Sequence, residues 1–198
     1  QLKNNFTAAD NSNSGFYNSL NYSIYLYRFH KQSSKDLYPK SGQAISFVYR
    51  HSPWGDFNMG SVAGLILRLY FPGLSNHHGI RLDINLQKKK TGDYVFSNQV
   101  NLPRGYNSFN VKDLAGISFN YKFPLLYPDF SVGPLMYLKR VKTNLFFDVA
   151  WAESHTGDGS FSSFGTEITT DVHFLRFRFP VDLGLRLGYV PNESRVFS

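Results

Sequence analysis

The feature that most constrains this chain is a sustained alternation of apolar and polar residues, because only a strand sends successive side chains to opposite faces. In 79–87, Ile80, Leu82, Ile84 and Leu86 share one face, while Arg81, Asp83, Asn85 and Gln87 share the other. In 116–123, Ile117, Phe119, Tyr121 and Phe123 oppose Gly116, Ser118, Asn120 and Lys122. The same pattern sets Leu183, Leu185, Leu187 and Tyr189 against Gly184, Arg186 and Gly188, and Leu65, Leu67, Leu69 and Phe71 against Gly64, Ile66, Arg68 and Tyr70. Weaker runs at 14–30, 43–51, 93–102, 134–151, 162–178 and from Ser194 onward bring the expectation to about ten strands. Turn-rich segments separate them at 31–42, 51–58, 89–93, 125–133, 153–163 and 191–194. No run has the spacing of an amphipathic helix, and residues 1–198 read as a single all-β segment in which 1–14 is a loop or a severed strand.

The alternating strands are long, and the charges are spread along their polar faces. In a soluble sandwich or lipocalin the apolar face forms the core and the charged face meets water. A transmembrane antiparallel β-barrel inverts this, with lipid against the apolar face and a polar interior holding Arg81, Asp83, Lys122 and Arg186. The glycines beside these positions leave room for long basic side chains. Aromatic residues near strand ends, among them Tyr49, Tyr70, Phe71, Phe123, Tyr127, Trp151 and Tyr189, suit an interfacial girdle. With 13 Tyr, 19 Phe, two Trp and 16 Gly, the composition agrees with that reading. No apolar run approaches the ~18–20 residues of a membrane helix, a limit that does not touch strand spans. The barrel reading places the chain in a bacterial outer membrane, in contact with its lipid and lipopolysaccharide.

Cysteine is absent, so neither a disulfide framework nor a thiolate metal site is available. The net charge of +7 comes from scattered basic residues apart from Lys88, Lys89 and Lys90, and no nucleic-acid partner is expected. His77 and His78 are adjacent, and adjacent strand residues point apart, so they do not form a metal pair. His155 with Asp158, and Asp171 with His173, lack the spacing of a catalytic signature. No catalytic residue, metal or cofactor is expected.

Between two of the strands lies "NLPRGYNSF", 101–109, which places a cation and a glycine before a tyrosine where a simple turn would serve. Downstream, in "NLFFDVAWA", 144–152, Phe147, Val149 and Trp151 share one face and leave Asp148 on the other, between Phe146 and Ala150. A carboxylate in that setting needs a partner. The ordered series of "RGY" on a long loop, "GISFNYKFPL" and "FFDVAWA" resembles the C-terminal barrel of the outer-membrane assembly and secretion family that includes BamA, TamA and the two-partner secretion transporters, the bacterial surface antigen type. The resemblance implies that Arg104, Gly105 and Tyr106 form a loop tip folded back into the barrel. It further implies that Arg104 pairs with Asp148 on the next-but-one strand, locking loop to barrel. Members usually carry glycine two residues after that aspartate, where this chain has Ala150.

In that family the barrel has sixteen strands, of which five follow the loop. Five are expected after it here and five before it, so the chain would cover roughly strands seven to sixteen. The alternation of direction puts the Arg104 loop outside and the turn at 178–182 on the periplasmic side. Counting a strand at 93–102, it also puts the lysine run 88–90 at the periplasmic end. The resemblance implies outer-membrane protein assembly or protein translocation, with client outer-membrane proteins or periplasmic and lipoprotein subunits as partners. It also implies that the receiving POTRA domains lie outside this piece. The alternative is a self-contained passive channel, ligand-binding barrel or surface hydrolase.

Overall fold

The computed structural model describes residues 16, 18–30, 32–33, 35–55, 60–93, 95–106, 110–133, 135–154, 157–174 and 181–198. Among them ten strands form one sheet: β1 (Leu20–Phe29), β2 (Gly42–His51), β3 (Ser61–Pro72), β4 (Gly79–Lys90), β5 (Asp113–Leu126), β6 (Phe130–Val132), β7 (Met136–Ser154), β8 (Gly157–Phe174), β9 (Val181–Val190) and β10 (Arg195–Phe197). The order is β1-β2-β3-β4-β5-β7-β8-β9-β10, with the short β6 pairing only with β7. Every pairing is antiparallel. The chain is thus an all-β meander, and β1 and β10 are its edges. They do not pair with each other, so the described sheet is open.

Register carries the period-two pattern across the sheet. One rung runs Leu26, Ile45, Leu67, Ile84, Ile117 and Val149, each paired with the next. The other face has the rung Arg68, Asp83, Ser118, Asp148 and Ser163. Burial is reversed from what water favours. Leu185 is 84% exposed and Phe147 50%, whereas Asn120 and Ser163 are 0% exposed and Asp148 1%.

Two loops cover the polar face. Residues 91–112, between β4 and β5, lay Val100 and Val111 against Leu114 and Ala152, with Ile66, Leu102 and Phe161 around them. From the opposite end, the connection between β1 and β2 reaches far enough that Arg140 of β7 donates to the Lys35 carbonyl, 3.3 Å away.

Four expectations are corrected here. No strand forms among the described residues of 93–102, which belong to the long covering loop, where Phe96 and Val100 are buried. Its polar groups turn to side chains of the sheet instead of a ladder, as when the Gln99 N–H donates to Gln87 Oε1 at 2.7 Å. Among the described residues four strands therefore precede Arg104 rather than five. The lysine run also moves: Lys88, Lys89 and Lys90 complete β4 and lead directly into the Arg104 loop, at the same end of the sheet. The tenth strand is β6, within a segment whose Pro128, Asp129 and Gly133 read as a turn. Likewise β8 begins at Gly157, inside the expected Gly/Ser loop, because Glu153 and Ala152 of β7 offer pairing to Asp158 and Gly159. The expected turn at 178–182 lies outside the described residues except for Val181 and Asp182, which open β9.

Candidate functional site

At the tip of the long loop the chain turns through Gly105, whose φ of 85° lies in the left-handed region open to glycine. That turn points Arg104 at the polar face. Its backbone N–H donates to Asp148 Oδ2 at 3.1 Å, and its Nη1 to Asp148 Oδ1 at 3.3 Å. Nη2 donates to Asn120 Oδ1 at 2.7 Å, and Nε lies 3.5 Å from Glu167 Oε1. The guanidinium sits 4.4 Å from the Phe146 ring centroid, in cation–π range. A single loop arginine thus joins β5, β7 and β8, and the buried Asp148 charge is met by a main-chain donor and a guanidinium together.

The surroundings extend this network. Asn144 donates to Asn120 Oδ1 at 3.1 Å and to Glu167 Oε2 at 3.0 Å, and Arg186 of β9 donates to Glu167 Oε1 at 2.7 Å. Tyr106 Oη donates to the Ser162 carbonyl at 3.1 Å and accepts from the Ser162 N–H at 3.2 Å. Its ring meets Phe161 edge-on at 5.1 Å. A Cβ on Gly105 would stand 2.4 Å from the Phe197 ring, and Arg195 donates to the Gly105 carbonyl, so the tip is also gripped by β10. Ala150 faces Gly116 across the β5–β7 ladder, and a Cβ on Gly116 would come 3.2 Å from that of Ala150.

Arg104, Gly105, Tyr106 and Asp148 therefore converge, and Arg186 joins them through Glu167. Arg81, Asp83 and Lys122 form a separate cluster on the same face. Asp83 lies 3.0 Å from Arg81 and 3.2 Å from Arg68, while Arg81 and Lys122 each lie 5.4 Å from the Tyr38 ring. Sequence reasoning missed Asn120 as a ligand of Arg104, and also missed Glu167, Phe146 and Phe197. Alternation puts Asn120 on the polar face of its strand without indicating a partner; Glu167 sits in a Thr-rich run with weak alternation.

The histidines are otherwise engaged. His77 Nδ1 bonds Asp36 at 2.8 Å, and the Ser33 N–H donates to the same carboxylate at 2.9 Å. The His77 hydrogen bond, the largest influence, holds the Asp36 carboxyl below its ordinary range against the opposing effect of burial. His78 Nδ1 bonds the Tyr121 hydroxyl at 2.7 Å. Asp171 is taken by Arg140 and Lys142, and His173 lies 6.0 Å from the Tyr137 ring. His155 lies outside the described residues. Among the described residues no group of three or more His, Asp or Glu is placed to hold a metal ion.

Comparison of the chain with protein-family models, curated proteins and solved structures finds no match. The chain is an all-β protein whose described strands form a single antiparallel sheet with a docked arginine loop.

Proposed function

We propose that this chain is part of an outer-membrane β-barrel of the assembly and translocation type, helping barrel proteins to insert or polypeptides to cross. The observation that carries the reading is the seating of loop Arg104 on buried Asp148, two major strands further on, beneath a sheet whose apolar face is exposed. Among the described residues six strands follow the loop, of which five, β5, β7, β8, β9 and β10, lie along the path of the sheet, the number the family has, while β6 pairs only with β7. Four precede it, so the segment corresponds to strands eight to sixteen of such a barrel. The docked tip braces the interior, while the edges β1 and β10 are the places where further strands of the barrel or an incoming client strand add by main-chain pairing.

Reconstitution tests this. Proteoliposomes containing the full-length protein should fold an urea-denatured barrel client faster than empty vesicles, read as heat-modifiable gel migration. Client folding at the same rate with and without the protein would sink the assembly role. The intact mass of the native protein separates the alternatives: about 22.7 kDa favours a self-contained channel or surface barrel, and a much larger mass favours the assembly type.

A further inference from the structure

We infer that the polar face of this sheet is an anion-selecting wall, along which small inorganic anions such as chloride pass in preference to cations. The inference rests on the barrel reading, in which that face lines the lumen. Its basis is a consistent imbalance in the charge pairing. Asp83 is shared by Arg68 and Arg81, Glu167 by Arg104 and Arg186, and Asp171 by Arg140 and Lys142. Asp148 and Asp182 add two further carboxylates, so this network holds six cations and five acids.

Three more cations on the same face have neutral partners. Lys89 donates to Asn98 Oδ1 at 3.1 Å and to Asn110, Arg50 lies 5.7 Å from the Phe96 ring, and Lys122 lies over Tyr38. Among the described residues none of the three has a carboxylate within ion-pair distance. They are not clustered at one spot. Lys89 is at the end of β4 that enters the Arg104 loop, and Lys122 pairs with Gly79 at the other end of the same strand. At ~3.3 Å per residue the excess positive charge thus spans roughly the length of a strand, with its Lys89 end buried at 2% exposure beneath the covering loop. Within low-dielectric walls such a line of uncompensated cations focuses a positive potential along the path, and rings of Arg and Lys favour anions in pores. The apolar rungs on the opposite face provide the low-dielectric wall.

The test uses the full-length protein in a planar phospholipid bilayer under an about tenfold KCl gradient, with insertion checked separately by heat-modifiable migration and protease protection in vesicles. The reversal potential is expected on the chloride side. Lys122→Glu is expected to lower the anion-to-cation permeability ratio about two- to fivefold, and Arg81→Gln to move it the same way. Inserted protein that conducts no current, shows no preference or favours potassium overturns the inference and leaves the barrel reading intact. Protein that does not insert overturns the barrel reading itself.

Discussion

Asp148 and Arg104 are unequal partners. Removing Arg104 leaves a carboxylate at 1% exposure with the Arg104 backbone N–H as the donor remaining from the loop tip. Removing Asp148 leaves the guanidinium with Glu167, Asn120 and the Phe146 ring. Arg104→Ala should therefore cost more, about 3–5 kcal/mol, the usual penalty for stranding one partner of a buried pair. Asp148→Ala should cost less, and a double-mutant cycle should return a coupling of ~1–3 kcal/mol. Folding equilibria in urea, followed by gel migration in lipid, measure all three; additive effects would mean that the pair contributes nothing as a pair. Gly105→Ala meets both a φ of 85° and the Phe197 ring, and should cost at least the ~1–3 kcal/mol of a strained backbone position while exposing the bond after Arg104 to trypsin. Cleavage no faster than in the parent protein would show that β10 does not hold the tip. Asp148 was legible in the sequence as a lone charge in a setting that demands a partner, and its pairing with Arg104 was legible only through the resemblance. Asn120 and Phe197 were not, since a polar-face amide and a terminal aromatic each have many possible neighbours until register is fixed.

At the scale of elements, alternation located the long strands well and failed where a loop mimics it. Residues 93–102 alternate because Phe96 and Val100 press one side against the sheet, and a loop lying on a surface has two sides just as a strand does. The miscount of one strand then reversed the predicted position of Lys88–Lys90, since direction changes with every strand. At the other end of the sheet, the β1–β2 connection is tied to the turn after β3 by Asp36 and His77. The folded Asp36 carboxyl titrates below its unfolded value, so its contribution is complete above the unfolded pKa near 4 and is lost as pH falls through the folded one. Hydrogen exchange in residues 35–41, corrected for intrinsic rates, should stay slow above about pH 4 and accelerate below it. Asp36→Asn should exchange fast at every pH, and a parent protein without that acid-side change would dissociate the loop's order from the Asp36–His77 contact.

For the whole molecule, the question is which solvent the apolar face meets. One rung runs apolar from Leu26 of β1 to Val149 of β7, and another runs from Leu69 of β3 through Leu82, Phe119, Phe147 and Phe164 to Tyr189 of β9; a contiguous apolar surface of that extent is not left in water by a stable monomer. The sequence carried the alternation but not which face is covered, because soluble and membrane sheets share the same period. What decides it in the structure is that the loops at both ends fold over the charged face and leave the leucines bare. Leu185, at 84% exposure in the middle of β9, gives the sharpest test. If lipid is its neighbour, Leu185→Arg should destabilise the protein in bilayers by about 2–4 kcal/mol, whereas the same change near the strand end, at Val181, should cost about 0–1 kcal/mol. If water is its neighbour, an arginine there costs next to nothing and improves solubility. Equal, negligible effects at both positions would remove the membrane from the argument and return the apolar face to a protein partner.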